Sequence, residues 1–569
     1  MKIKSIISLV LFVSSLSYPQ QNIFNKEIEL NKFILQGGKV EEISTNLYKL
    51  TYRTGETKVF SFEPEPAISS AGRDFLGEGM DSTIFNFIGL DTLLYYKKFS
   101  FWQKVDIGCH SDRRVFVEDI NKNNRLELYG FSKSATSAVG PVEIYEQNNA
   151  GIFKKVYTYD STSDFVLGIG DINSDGTKEV HIKTEDTMNG KFYKSDSLGS
   201  LPTKFDFVFY PINTPYLIRD LTFGDFDKNG ITDYAFILYP FIYIAEYDSI
   251  INNFTQVYED RTSTSPSGFA IGDFDQDGKT DLAFGITSRK IYVIENIGNR
   301  QYSIVWDGIT LTPNAYMKAA TNDIDGNDKP EFWIGGANLS DYKSRFICYE
   351  ANGNNSYKPV AYIEINIISL SNNTLQSEDI DDDGKDELII NIGDWLIILK
   401  FAGSPNHHSY EIFYVKIKEK TQAGAYFCMS TIYDFNGDGK KDILLPMTND
   451  FTPTITNNSY ILIQNTSQAI NEGGTDKTSN YNIEQNYPNP FNPTTSITYQ
   501  LSAPGFVSLK VYDMLGREVA TLVNEMKESG SYSSAFSASN LASGVYVYRI
   551  SITDGSRNIF SDTKRMLLI

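Results

Sequence analysis

Short apolar runs that alternate with polar or small residues recur along the chain, and their spacing predicts strands. Ile497, Tyr499 and Leu501, then Val507, Leu509 and Val511, put an apolar side chain at every second position, the period at which one face of a strand is buried. Around residue 273 the runs are short: residues 269–272 read as a strand, and 281–286, 290–295 and 302–306 as three more, with turns between them. They are too short for paired helices. The apolar run 6–16, preceded by Lys2 and Lys4 and closed by the small residues Ser15 and Ser17, cannot span a bilayer as a helix, so residues 1–17 read as a cleaved signal peptide. No other stretch approaches about 18 consecutive apolar residues, so no transmembrane span is expected in the mature chain.

Between apolar runs one pattern returns: Asp-x-Asp/Asn-x-Asp/Asn-Gly-x-x-Asp/Glu. The fullest copies are Asp273, Asp275, Asp277 and Asp281 with Gly278, and Asp379, Asp381, Asp383 and Glu387 with Gly384. Three more keep the glycine: Asp171, Asn173, Asp175, Glu179; Asp225, Asp227, Asn229, Asp233; and Asp434, Asn436, Asp438, Asp442. Two carry Asn124 or Asp328 in its place: Asp119, Asn121, Asn123, Glu127, and Asp323, Asp325, Asn327, Glu331. Successive first positions lie 48 to 56 residues apart, and a period of that size means an array of one supersecondary unit.

The spacing sets the chemistry. Side-chain oxygens at positions 1, 3 and 5 of a tight loop converge on one point, a backbone carbonyl at 7 can join them, and the carboxylate at 9 closes the shell. An irregular shell of six to eight oxygens suits Ca²⁺, whereas Mg²⁺ demands a stricter octahedron. Glycine at position 6 permits the positive φ of the turn, which Asn and Asp tolerate at some cost. The closing carboxylate stands at 9 and not 12, and the flanks are strands, so this is not an EF-hand. Up to seven structural Ca²⁺ are expected, tightest in the four-carboxylate loops at Asp273 and Asp379.

Four short antiparallel strands per period of about 50 residues describe a propeller blade. The repeat resembles the FG-GAP/VCBS repeat of integrin α-subunit propellers and many bacterial surface proteins, with Phe223-Gly224-Asp225 and Ile271-Gly272-Asp273 at that family's aromatic- or aliphatic-glycine step. The resemblance implies structural calcium at the positions named above. Upstream, residues 71–81 look like a degenerate loop, with strand-like runs at 83–88, 92–97 and 101–107 that would make an eighth unit. The last repeat has three strands of its own, and residues 58–63 are a candidate fourth that would close the ring. The expected fold is all-β: a calcium-loop propeller of seven or eight blades over residues 18–466.

Residues 467–481 are small and polar, a flexible linker by composition. Residues 482–569, rich in short strands, predict a small β-sandwich. This unit resembles the C-terminal sorting domain of type IX secretion cargo. The features carrying the likeness are Asn-Tyr-Pro-Asn-Pro-Phe-Asn-Pro at 486–493, Tyr-Asp-Met-Leu-Gly-Arg-Glu-Val at 512–519, Ser-Gly-Val-Tyr at 543–546 and Lys-Arg-Met-Leu-Leu-Ile at 564–569. The resemblance implies export, a secreted or outer-membrane surface-attached protein, and the type IX secretion machinery as a partner.

Charge changes the list of other partners. The 569 residues carry a net charge of −20, which argues against nucleic acid and anionic membranes. Positions 1, 3, 5 and 9 of the seven loops hold 22 carboxylates, more than that whole excess, and seven Ca²⁺ would reduce it to −6. Cys109, Cys348 and Cys428 are too scattered for a disulfide framework or a CxxC pair. Of four histidines, His407 and His408 follow Gly403-Ser404-Pro405 and read as a solvated turn. Trp102, Trp306, Trp333 and Trp395 read as core between blades. No catalytic constellation stands out, so no catalytic residue is assigned. The expected function is a surface binding or adhesion protein that presents loops to a protein or glycan, through connections such as 239–242, 263–268, 337–342 and 403–408. The alternative is an extracellular polysaccharide-degrading lyase or hydrolase on the same scaffold.

Overall fold

The computed structural model describes residue 30, residue 34 and most of 38–61, then 80–465 apart from short gaps and the stretch 210–220, and finally 482–569 with small gaps. The expected signal peptide, the linker and the degenerate loop at 71–79 lie outside the described residues. The chain divides into two compact units, residues 1–467 and 468–569. Among the described residues, no helix is long and apolar enough to cross a membrane.

The first unit is built from strands, as the period-two pattern predicts. Seven consecutive antiparallel sheets each run through one loop motif, and we number them one to seven in chain order. Sheet four is representative: Ala270–Gly272, Asp281–Gly285, Lys290–Gly298 and Gln301–Ile309 pair in that order, with the Asp273 loop as the first hairpin connection. The middle strands are apolar on both faces: Asp281–Gly285 and Glu331–Asn338 are buried along their whole length. Each such strand packs against both neighbouring sheets, which is why its sequence does not alternate. The first strands lie side by side around a cavity of about 580 Å³, lined from Phe116 in sheet one through Gly168, Phe223, Ile271 and Ala319 to Gln376 in sheet six, with Met429 just before the inner strand of sheet seven. The arrangement is propeller-like.

Closure differs in two respects from the sequence expectation. The outer strand of sheet seven is Phe99–Val105, antiparallel to Ile455–Gln464, with Val105 opposite Ser459 and Phe99 opposite Gln464. The segment Thr57–Ser61 is instead the last strand of a separate three-stranded meander with Lys39–Ser44 and Leu47–Thr51. Among the described residues, the strand-like runs at 83–88, 92–97 and 101–107 form no sheet of their own. Asp81–Phe85 has no hairpin partner of its own and adds to the edge of sheet five, parallel to Ser356–Ile365. Sheets seven and one share a core of Val105, Ile107, Leu128, Phe153, Tyr426 and Leu444, which joins the two ends of the array.

In the second unit, Asn482–Ile483, Thr494–Leu501 and Gly530–Ser537 form one sheet, and Glu518–Lys527, Gly505–Tyr512, Gly544–Asp554 and Arg557–Leu568 form the other. Side chains from both fill one core, and all six alternating residues, Ile497, Tyr499, Leu501, Val507, Leu509 and Val511, are in it. The proline-rich opening has a packing role. Phe491 is buried against Phe536, its backbone N–H donates to Leu567 O at 2.9 Å, and the buried Asn486 side chain donates to Pro488 O and Thr495 Oγ1.

Closure by Phe99–Val105 predicts a sharp contrast along one strand. Phe99 is buried, 4.8 Å from the Tyr414 ring, whereas Phe101 is 61 % exposed. Phe99→Ala should cost about 3 kcal/mol or more in urea unfolding, and Phe101→Ala about 0.5 kcal/mol or less.

Candidate metal centres

Each loop motif connects the first and second strands of its sheet and follows one hydrogen-bonding plan. In sheet three, Asp225 Oδ1 accepts from Asn229 N at 2.9 Å and its Oδ2 from Gly230 N at 2.8 Å. Asp227 Oδ1 accepts from Asn229 N at 3.2 Å, and Asn229 Oδ1 from Ile231 N at 2.8 Å. The loops headed by Asp119, Asp171, Asp323 and Asp434 repeat this set of bonds. Those at Asp273 and Asp379 share most of it. The two loops without glycine take the same path, with Asn124 at φ 63° and Asp328 at φ 66°. Position 4 is left-handed as well, at Lys122, Ser174, Lys228, Gln276 and Asp382, and at Gly326 and Gly437. The side chain at position 2 (Ile120, Ile172, Phe226, Phe274, Ile324, Ile380, Phe435) is buried and anchors the loop on the core.

Position 9 is the first residue of each second strand, and its carboxylate is at most 1 % exposed in all seven loops. One oxygen accepts from the position-2 N–H, at 2.8–3.0 Å in loops such as those of Glu127, Glu179, Asp233, Asp281, Glu387 and Asp442. The other oxygen of Glu127, Glu179, Asp233, Asp281 and Glu387 is buried without a hydrogen-bond partner. In the remaining two loops it is used: Thr321 Oγ1 donates to Glu331 at 2.6 Å, and Gln464 N to Asp442 at 2.8 Å. A buried carboxylate with no compensating charge resists ionisation. Burial accordingly pushes Glu127, Glu179 and Glu331 up to about 8, Asp233, Asp281 and Glu387 to about 7, and Asp442 to about 6. In sheets three, four and five, oxygens from positions 1, 3 and 9 lie within 4.8 Å of one another. Such donors suit a hard divalent cation, which would hold the carboxylates ionised where a proton otherwise must.

A further set of residues joins from the third strand, which spacing within the motif could not reveal. Glu146, Glu246, Glu295 and Glu350 stand directly across from Glu127, Asp233, Asp281 and Glu331. Sheets two and six have lysines there instead. Lys194 Nζ lies 2.9 Å from Asp175 and 3.1 Å from Asp206. Lys400 Nζ lies 2.5 Å from Asp381, 2.7 Å from Asp383 and 3.6 Å from the unpartnered oxygen of Glu387. An ammonium thus supplies positive charge within a loop that carboxylate count alone ranks among the tightest.

The loops also join neighbouring sheets. The turn between the third and fourth strands of the next sheet gives a backbone N–H to the position-3 carboxylate, from Arg300 to Asp227, Asn355 to Asp275 and Asn406 to Asp325, each at 2.6 Å. Tyr302 Oη donates to Asp233 at 2.8 Å and Tyr357 Oη to Asp281 at 2.9 Å. Residues 403–408 are therefore not a free turn: His407 is exposed, but His408 is buried. The connection 337–342 is likewise engaged, since Ala337 and Leu339 pack with Leu30, Tyr48 and Leu50. Residues 239–240 and most of 263–267 lie outside the described residues. Trp333 is fully buried and donates to Thr321 Oγ1 at 3.1 Å, while Trp102, Trp306 and Trp395 pack against core clusters. The three cysteines are free and buried.

Two family models match this chain: an FG-GAP-like repeat at residues 273–334 and a secretion system C-terminal sorting domain at residues 485–560. No curated protein matches. Among solved structures, the chain is similar to BBS1N in complex with ARL6DN, soaked with lead, at 10% identity and TM-score 0.42, covering 65% of this chain and 98% of that one. It is also similar to a fungal alcohol oxidase of the AA5 family in complex with copper, at 10% identity and TM-score 0.40, covering 83% and 99%. Likeness at this level says nothing of activity. The chain carries an FG-GAP-like repeat and a type IX sorting tail, so it engages the type IX secretion machinery and is delivered to the outer cell surface.

The raised position-9 groups fix the sign of a pH effect in metal-free protein. Their folded values, about 6 to 8, exceed the ordinary 4.5 of Glu and 3.8 of Asp, so folding favours the protonated form. That stability is fully present below the unfolded value and is lost as pH rises through the folded one. In excess chelator, the melting temperature should fall from pH 5 to pH 8.

Proposed function

We propose that the first unit is a calcium-stapled, seven-bladed β-propeller over residues 18–466, joined by a linker at 467–481 to a β-sandwich sorting domain at 482–569, and that it binds a protein or glycan at the cell surface. The observation that carries the calcium reading is the buried, unpartnered position-9 oxygen, repeated in five loops; at Asp233 and Asp281, carboxylate oxygens of positions 1 and 3 lie within 4.8 Å of the position-9 group. Up to seven ions are held by the side chains at positions 1, 3, 5 and 9. The lysines weaken the sites of sheets two and six.

In sheets one to six the metal loops and the turns between third and fourth strands share one end, where from sheet three to sheet six they bond to each other. That end is committed to holding sheets together. Recognition is then left to the other end, where second strands turn into third strands and the cavity is framed by Arg113, Lys318 and Asn373. Binding loops on a rigid scaffold can vary without cost to the core. No observation favours the polysaccharide-degrading alternative, since the carboxylates with raised proton affinity all belong, among the described residues, to the metal loops.

Calcium that binds the folded state stabilises it by mass action. At pH 8, calcium should raise the melting temperature of chelator-treated protein, and at pH 5 the gain should shrink because protons compete for the position-9 carboxylates. Identical curves with calcium and with chelator at pH 8 would refute the metal assignment. Asp281→Asn should weaken calcium binding more than Glu387→Gln, and Lys400→Met should tighten the sixth loop.

The binding reading is tested by a glycan and surface-protein array probed with the full chain in calcium. For any ligand found, Lys290→Glu or Asp394→Lys, on the end away from the metal loops, should lower affinity with melting unchanged, whereas Asp275→Ala should lower binding only in proportion to unfolding. The reverse pattern would move recognition to the metal end.

A further inference from the structure

The fifth loop breaks the plan of its neighbours in a way that points to different chemistry. Both oxygens of Glu331 are occupied by protein donors, Ile324 N and Thr321 Oγ1, so no position-9 oxygen is left over. The unpartnered buried atom of this loop is instead a nitrogen. His408, from the turn of sheet six, inserts its ring so that Nε2 lies 3.5 Å from Asp325 Oδ2 and 3.5 Å from Glu350 Oε1, with all three side chains at most 3 % exposed. Nε2 makes no hydrogen bond with either oxygen.

We propose that Asp325, Glu350 and His408 form a binding site for a divalent transition-metal ion of the zinc class, between sheets five and six. Three arguments support it. The first is distance. A charge-assisted N–H···O bond would be about 2.7–2.9 Å long, whereas two ligand atoms each about 2.1 Å from a tetrahedral ion sit about 3.4 Å apart. The observed separations match a pair bridged by an ion better than a direct contact.

The second argument is the proton on the ring. His408 Nδ1 lies 2.8 Å from Tyr410 Oη. We assign Nδ1 as the donor, which leaves the Nε2 lone pair facing two carboxylates. That juxtaposition is repulsive until a cation enters, and an outer-shell partner on the other ring nitrogen is the usual support of a metal-ligating histidine. The carboxylates are held as well, since Asn406 N donates to Asp325 Oδ2 at 2.6 Å and Asn327 Nδ2 to Glu350 Oε1 at 3.0 Å.

The third argument is the contrast with sheets four and five: two residues after the turn residue that donates to the position-3 carboxylate, they place Tyr302 and Tyr357, whose Oη donates to Asp233 and Asp281, whereas sheet six places His408. An imidazole in that place offers a ring nitrogen to an ion where its counterparts offer an O–H to a carboxylate. Imidazole with carboxylates suits zinc, while calcium takes oxygens. Three protein ligands leave a tetrahedral ion one open valence.

The site does not require the calcium reading, and the test keeps them apart. Full-length protein stripped by chelator is saturated with Ca²⁺, then titrated with Zn²⁺ by calorimetry and with Co²⁺ by visible absorption. The expected result is one Zn²⁺ that excess calcium does not displace, and Co²⁺ bands of tetrahedral intensity. His408→Gln and Glu350→Gln should each weaken zinc by more than the roughly 10- to 100-fold that losing an outer-shell partner costs, and Tyr410→Phe by about that range. His407→Gln, in the exposed neighbour, should leave zinc affinity unchanged. Absence of zinc binding to wild-type protein would overturn the proposal. Zinc binding that survives His408→Gln, or that is lost with His407→Gln, would overturn it as well. Should His408→Gln fail to fold, the cobalt spectrum of wild-type protein and the Tyr410→Phe affinity decide. Loss of calcium-dependent melting alone would count against the calcium reading and leave this one standing.

Discussion

A carboxylate buried at the first residue of a second strand is the constraint on which the first unit depends. Its position is forced: one oxygen must accept the N–H of loop position 2, whose apolar side chain is itself anchored in the core, so loop, strand start and core are fixed together. Burial makes the bond strong and its remaining charge costly. Each loop then resolves the same problem, that of compensating a buried anion, with the groups its neighbours supply.

The solutions differ, and the differences are chemical. Sheets two and six bring a lysine from the third strand, and sheets one, three and four bring a further glutamate, which Arg125, Arg300 and Lys279 respectively pair. Sheet five satisfies its position-9 group with Thr321 and presents a histidine beside two other carboxylates. Loops that look alike as strings of Asp and Asn are therefore not equivalent as sites.

The same loops couple neighbouring sheets. Position-3 carboxylates accept backbone N–H groups from the next sheet's turn, so an ion bound at a loop bears on two sheets at once. This ties one end of the array to stability and leaves the other to vary. Delivery is a separate matter, handled by a second unit with its own core.

Local order was legible in the sequence because it is written in spacing. Seven loops, strands on either side of them, the left-handed sixth position and the alternating core of the second unit all follow from residues close together in the chain. The matches at 273–334 and 485–560 fall within the regions that spacing and motif marked. Tertiary structure decided what depends on register and on partners far along the chain. Glu146, Glu246, Glu295 and Glu350, or Lys194 and Lys400, reach the loops only through pairing of second with third strands. Phe99–Val105, and not 58–63, closes the array by pairing with residues some 355 positions away, a choice no local pattern encodes. His408 looked solvated because its neighbours in sequence are turn formers; it is buried because the preceding sheet supplies the two carboxylates around it, Asp325 from its loop and Glu350 from its third strand.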